Sequence, residues 1–192
     1  MKILSGSARG ARLLTGSAGG TRPLTGRART SLFDIIQPRL DGCRFLDLFA
    51  GFGSVGLEAV SRGALRTVLV EHDRVAARLI QRNIEKLHFG ERAEVWQMDA
   101  FRAVEMLAQA GEQFEIVFAG PPYGQRLAQA ILEMALLPRI LAAGALAVVQ
   151  HDRRDDPGAG GNTFRRQRQE RYGETLLSFY AGNADARNGD RL

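Results

Sequence analysis

Cysteine is nearly absent from this 192-residue chain: it has one, Cys43, along with three histidines. That excludes a disulfide framework, and no Cys/His cluster carries the spacing of a zinc site, so no metal is expected. Long apolar runs are also missing. The longest, Ile140 to Val149, falls well short of the roughly 20 residues that cross a bilayer. The N-terminus lacks an apolar signal core, so a cytoplasmic protein without a membrane partner is expected. Internal repeats are absent, and a chain of this length is expected to bury roughly 70% of its unfolded surface as one domain. Acids are missing from the beginning of the chain, where Lys2, Arg9, Arg12, Arg22, Arg27 and Arg29 all precede the first, Asp34. These cations outnumber the net charge of +5, which leaves the remainder close to neutral. A cationic arm beside a neutral body suits a polyanion, because each phosphate contact releases counterions. The plainer alternative is a solvated, mobile terminus that serves solubility.

What is present is an alternation of short apolar runs with helical patterns. Ile3-Leu4 and Ala11 to Leu14 flank the turn-like Ser7-Ala8-Arg9-Gly10, which suggests a small hairpin, and Thr15 to Gly20 reads as a loop. Ala28, Leu32, Ile35 and Ile36 fall at helical spacing within Thr25 to Gln37, closed by Pro38. Strands are expected at Phe45 to Phe49, Thr67 to Val70, Val95 to Met98, Phe114 to Ala119 and Ala145 to Val149. Between them, helices are expected at Gly53 to Arg62, from Asp73 as N-cap to near Gly90, to about Ala110, and at Gln125 to Leu137. Strands apolar throughout belong to a parallel sheet covered on both faces. After a charged, Gly-rich loop from Asp152 to Asn162, Phe164 to Gln169 and Thr175 to Ala181 read as an antiparallel addition at the edge. The expected fold is therefore a doubly wound, mostly parallel α/β sheet of seven strands with helices on both faces. Residues 1–40 form its basic arm, 41–182 the main domain and 183–192 a disordered tail, and a monomer is expected.

Asp47-Leu-Phe49-Ala-Gly51-Phe-Gly53-Ser-Val-Gly56 leaves the first strand and enters a helix with G-x-G-x-x-G spacing. Glycines there allow a tight turn and close backbone approach to a ligand; a tight, well-packed turn is the plainer alternative. Glu71, twenty residues after Gly51 at the end of the second strand, is placed to accept hydrogen bonds from a ribose. Asp99 follows the third strand at the same carboxyl edge and doubles as a helix N-cap. A dinucleotide and S-adenosylmethionine both carry a ribose. A helix N-terminus near Gly53 would attract pyrophosphate, but Asp47 repels it and suits a cationic amino acid moiety, which favours S-adenosylmethionine.

Phe114 to Tyr123 is a buried strand broken by Gly120-Pro121-Pro122-Tyr123. The prolines remove two backbone donors and leave carbonyls free to face a cleft. A tyrosine after them offers a flat face to a base; a rigid loop with Tyr123 covering the core is the alternative. His151, just beyond the fifth strand, is a weak candidate base and more simply a surface residue.

Taken together these pieces resemble the bacterial small-subunit ribosomal RNA guanine-N2 methyltransferases of the RsmD type. The matching segments are Leu4-Ser-Gly-Ser-Ala-Arg9-Gly10, Arg22-Pro23 with Arg27 and Arg29, Leu32-Phe33, Phe49 to Ala59, and Pro121-Pro122-Tyr123, spread over Ile3 to about Tyr180. The resemblance implies a methyltransferase that uses S-adenosylmethionine on the exocyclic amine of guanine 966 in 16S rRNA, with rRNA or the small subunit as partner. It further implies that Asp47 to Gly53, with Phe49 and Gly51, hold the methionine part, that Glu71 holds the ribose and that Asp99 with Ala100 meets the adenine. Tyr123 would stack on guanine, with Gly120, Pro121 and Pro122 beside the reacting amine, and Arg9, Arg12, Arg22, Arg27 and Arg29 would hold RNA. The chain departs from the family where Asp usually precedes Pro-Pro-Tyr and Gly120 stands here, and where Gly26 and Thr30 replace acids in the arm. Transfer to an adenine N6 in DNA or RNA, and a non-catalytic RNA-binding module, stay as alternatives. Restoring aspartate at position 120 is expected to be harmless or helpful, and removing residues 1–20 to leave cofactor binding intact.

Overall fold

The computed structural model describes residues 1–16, 24–161 and 163–182. Arg22, Pro23, part of the expected Thr15–Gly20 loop, and the tail 183–192 lie outside the described residues. Seven strands form one sheet: β1 (Arg44–Asp47), β2 (Arg66–Glu71), β3 (Ala93–Gln97), β4 (Phe114–Ala119), β5 (Leu141–His151), β6 (Phe164–Tyr172) and β7 (Thr175–Gly182), in the order β3-β2-β1-β4-β5-β7-β6. β1 to β5 are parallel, and β7 runs antiparallel between β5 and β6.

Alternate residues of these strands feed two layers, which is why each run is apolar throughout. Val68, Val70, Val117, Ala119, Ala147 and Val149 pack under α4 (Ala100–Gln109) and α5 (Leu127–Glu133). Leu69, Ile116, Phe118, Leu146 and Val148 face α1 (Gly26–Ile36), α2 (Gly56–Ser61) and α3 (Arg74–Lys86). Thr25, Asp73 and Asp99 cap α1, α3 and α4 by accepting backbone N–H groups.

Several elements differ from expectation, β6 running on to Tyr172 and α3 ending at Lys86, and three differ for reasons visible in the backbone. α2 begins at Gly56 rather than Gly53, because Gly51 and Gly53 adopt φ of +56° and +79° and hold the chain in a turn. α5 is confined to Leu127–Glu133: it starts after Arg126 at φ +54° with no side-chain cap, and Pro138 belongs to a separate 3-10 turn, Leu137–Ile140. β5 extends to eleven residues because Leu141 pairs with Phe114 across a register shift near Gly144, which has φ +71°.

The first residues are bound to the body. Ile3 and Leu13 are buried in the cluster with Leu57 and Ile80, and the expected hairpin closes through Ile3 N–H to Ala11 O (2.9 Å) and Leu13 N–H to Met1 O (3.0 Å). Buried Glu58 accepts the N–H groups of Leu4 (2.7 Å) and Ser5 (2.9 Å), as well as Nε of Arg62 (2.8 Å). Ser61 Oγ donates to Ser5 O (2.6 Å) and accepts from Ala8 N–H (3.0 Å), while Asn83 brackets the backbone of Leu14 (2.7 and 3.0 Å). At Gly6, φ +80°, a Cβ would lie 1.8 Å from Ser61 O, so only glycine permits this approach. A freely solvated terminus is therefore excluded for residues 1–16.

Candidate functional site

The strand order reverses between β1 and β4, and ligands of open α/β sheets bind where the carboxyl ends diverge at such a point. A cleft opens there, lined among others by Asp47, Phe49, Gly51, Phe118, Gly120 and Gln150.

Asp47 ends β1 with its side chain buried. Its Oδ2 accepts the N–H of Gly56 (3.0 Å) at the start of α2, whereas Oδ1 is buried with no hydrogen-bond partner among the described residues. Burial raises this carboxyl to about 7, against the opposing Gly56 hydrogen bond and reinforced by the Glu71 charge. Next to it, a Cβ on Gly51 would meet nothing within 4 Å, so the backbone faces open space where a ligand can lie against it. Glu71 is buried; its Oε2 accepts Gly51 N–H (2.8 Å) and its Oε1 accepts Asp73 N–H (2.8 Å), with His72 Nδ1 at 3.1 Å. The carboxylate thus fixes the glycine turn, whose Gly51 lines the cleft. Asp99 is exposed and caps α4, its Oδ1 accepting N–H of Phe101 (2.9 Å) and Arg102 (3.1 Å); Ala100 behind it is buried.

On the β4 side, Pro121 is buried and Pro122 and Tyr123 are half-buried. Tyr123 Oη accepts from Gln150 Nε2 (3.0 Å) and lies 3.2 Å from Thr175 Oγ1. Gly124 N–H donates to Asp155, which joins this loop to the one after β5. Tyr123 also borders a second cleft with Asp152, Arg153, Arg154 and Glu174.

Two expected residues change role. Arg29 is buried, 3% exposed, and donates to Lys2 O (2.6 Å) and Ser54 O (3.4 Å), so it cannot present its charge to a polyanion; it ties the arm to the glycine turn. His151 is fully buried rather than superficial. Its Nδ1 lies 2.8 Å from Asp152 O and its Nε2 2.8 Å from Ser178 Oγ, and burial lowers its pKa, so neither nitrogen is available as a base. Arg9, Arg12 and Arg27 are exposed. Residues not expected at the site include Glu58, latching the arm, and Gln150, whose position immediately before His151 at the end of an apolar strand was a usable signal.

A parallel sheet that reverses at β1/β4, closes with an antiparallel β7 and carries an acidic, glycine-lined cleft at the reversal has the Rossmann-like architecture of the methyltransferases. The chain shares it with an RNA methyltransferase from Salinibacter ruber solved in complex with S-adenosyl-L-homocysteine: TM-score 0.63, 17% identity, 82% of this chain and 92% of that one, a likeness of fold. The chain belongs to the family described as Conserved hypothetical protein 95, which it matches over residues 1–181. It is similar to ribosomal RNA small subunit methyltransferase D of Escherichia coli (strain K12), 34% identical over 152 residues, covering 79% of this chain and 75% of the relative. The YlbH protein of Bacillus subtilis (strain 168) is 33% identical over 180 residues, covering 94% and 98%. The solved structure of yhhF from Escherichia coli aligns with TM-score 0.83 at 30% identity, covering 96% and 98%.

Proposed function

We propose that this protein transfers a methyl group from S-adenosylmethionine to the exocyclic N2 amine of a guanine in small-subunit rRNA, the equivalent of guanine 966 in 16S rRNA. The observation that carries the cofactor half of the reading is the buried Asp47 carboxyl, whose Oδ1 has no well-formed hydrogen bond among the described residues, in a cleft it shares with open-faced Gly51; the guanine and rRNA half is supported by the likeness to small subunit methyltransferase D. A buried acceptor without a partner is costly, and a cationic amino group relieves that cost. The donor set therefore fits an amino acid cation joined to a nucleoside and disfavours a pyrophosphate.

When bound, the cofactor supplies a methyl group already activated by its sulfonium. Asp47 holds the ammonium end, the Gly51 backbone lies along the methionine portion with Phe49 beside it, and Glu71 accepts from the ribose hydroxyls while keeping its grip on the turn. Asp99 and Ala100 border the adenine. The chain's task is then alignment and exclusion of water. Tyr123 gives the base a stacking face, worth about 1–3 kcal/mol. The carbonyls of Gly120 and Pro121 accept the N–H bonds of the target amine, which localises its lone pair and stabilises the charge developing on nitrogen. Arg9, Arg12 and Arg27 hold rRNA phosphates.

The test is transfer from methyl-labelled cofactor to unmodified small subunits and to naked rRNA, followed by mass mapping of the labelled nucleotide. Label on the N2 of one guanine is expected. Label on an adenine N6 would replace the substrate assignment. Cofactor and rRNA binding without any transfer would leave the protein as a binding module.

A further inference from the structure

Gln150 stands beside Gly120 across the β4–β5 pair, one residue beyond the Ala119–Val149 register. Its side chain is 4% exposed and lines the cleft together with Asp47 and Gly120. The Nε2 donates to Tyr123 Oη (3.0 Å), while the Oε1 lies 3.2 Å from the point a Cβ on Gly120 would occupy. Phe118 Cε1 closes the other side of that point at 3.1 Å. So the gap left by the glycine is already filled, by the Phe118 ring on one side and the amide oxygen of Gln150 on the other. Tyr123 in turn borders the outer cleft with Arg153 and Arg154, which makes the Gln150–Tyr123 pair the wall between the cofactor side and the side from which a base arrives.

We propose that Gln150 is the positioning residue of the acceptor site. Its amide N–H, with the Thr175 hydroxyl, fixes the Tyr123 ring from two directions, and its amide oxygen takes the place of a side chain at position 120. This deepens the methyltransferase reading and rests on it. A stacking ring held in its bound orientation loses less entropy when the base arrives, and small misplacements in such sites cost rate steeply. Aspartate at position 120 would set a carboxylate against the amide oxygen. The amide would then turn its N–H toward the acid and release Tyr123, so the expectation that aspartate is harmless there is reversed.

The experiment compares Gln150→Leu, Gly120→Asp and Gly120→Asp/Gln150→Ala with wild type in single-turnover and steady-state methyl transfer to rRNA. Calorimetric cofactor affinity and the 13Cζ resonance of Tyr123, one of three tyrosines, are recorded for each. Loss of one hydrogen bond plus misalignment is expected to lower kcat in Gln150→Leu by roughly tenfold or more, with cofactor affinity changed less than about threefold and the Tyr123 resonance shifted. Gly120→Asp alone is expected to be slower than wild type, and the pair faster than Gly120→Asp alone. Wild-type rates in Gln150→Leu, an unmoved Tyr123 resonance or strictly additive effects in the pair would each overturn the proposal. Should Gln150→Leu fail to fold, Gln150→Asn, one methylene too short to reach Tyr123, takes its place. If wild type transfers no methyl to rRNA, the function is wrong, while the Tyr123 resonance still decides whether Gln150 holds the ring.

Discussion

At the level of single residues, Asp47 makes the most specific commitment. Burial lifts its carboxyl to about 7, so the folded chain retains a proton there that the unfolded chain has released. The native state accordingly loses stability as pH climbs from the ordinary carboxylate range through 7. A bound ammonium reverses the preference and favours the ionised acid. S-adenosylmethionine binding is therefore expected to strengthen as pH rises through about 7 and to eject a proton below it, seen by calorimetry in buffers of different ionisation enthalpy; Asp47→Asn should abolish that pH dependence. Glu71→Ala removes acceptors for both the turn and the ribose. Its affinity for the cofactor should fall roughly ten- to a hundredfold, at about 1.5–3 kcal/mol for a charged hydrogen bond, with unchanged affinity refuting the assignment. That Gly51, Glu71 and Tyr123 lie at or just past strand ends was legible in the sequence, because the apolar runs fix where the chain leaves the sheet. Arg29 was not, since charge alone does not say which way a helix turns it, although its place four before Phe33 and seven before Ile36 puts it on the buried stripe of α1. Glu58 was equally hidden, an acid inside the apolar run Leu57 to Val60 whose partners come from the far end of the sequence.

Among the elements, the basic arm divides into cations that face water and groups that fasten it. Replacing exposed Arg9, Arg12 and Arg27 with alanine should reduce the slope of log affinity for rRNA against log salt by about 0.7–0.9 per lost phosphate contact, with thermal stability little changed. Arg29→Ala should do the opposite, lowering the melting temperature and leaving the slope alone, because its hydrogen bonds end on Lys2 and Ser54. Deleting the hairpin is a poor probe of RNA binding. It would leave the Glu58 carboxylate buried without the Leu4 and Ser5 N–H groups and uncover the apolar surface beneath Ile3 and Leu13, so the deletion should unfold at lower temperature and weaken cofactor binding through the neighbouring turn. α2 and α5 were overextended by pattern alone. In α2 the orphan N–H of Gly56 is satisfied by Asp47 from the sheet rather than by a local cap, a tertiary choice no local signal announces.

For the molecule as a whole, apolar runs alternating with amphipathic helices gave the parallel core directly, and the glycine turn after β1 with Gly120 after β4 pointed to the cleft. The insertion of β7 between β5 and β6 was less accessible, since neighbouring strands in sequence normally give only their own pairing. That insertion covers the long edge of β5, from Leu146 to His151, by pairing it with Leu176 to Ala181. Truncation before Phe164 would strip that edge, and such a fragment is expected to be insoluble when expressed, as judged by fractionation beside the full chain. The docking of the N-terminal hairpin carries a different consequence, one of timing. Leu4 waits for Glu58, 54 residues later, and Leu14 for Asn83, 69 residues later. During synthesis at about 5–20 residues per second, the opening segment therefore spends several seconds exposed with its cations unengaged before the helices that will receive it have been made, and it docks before β6 and β7 exist.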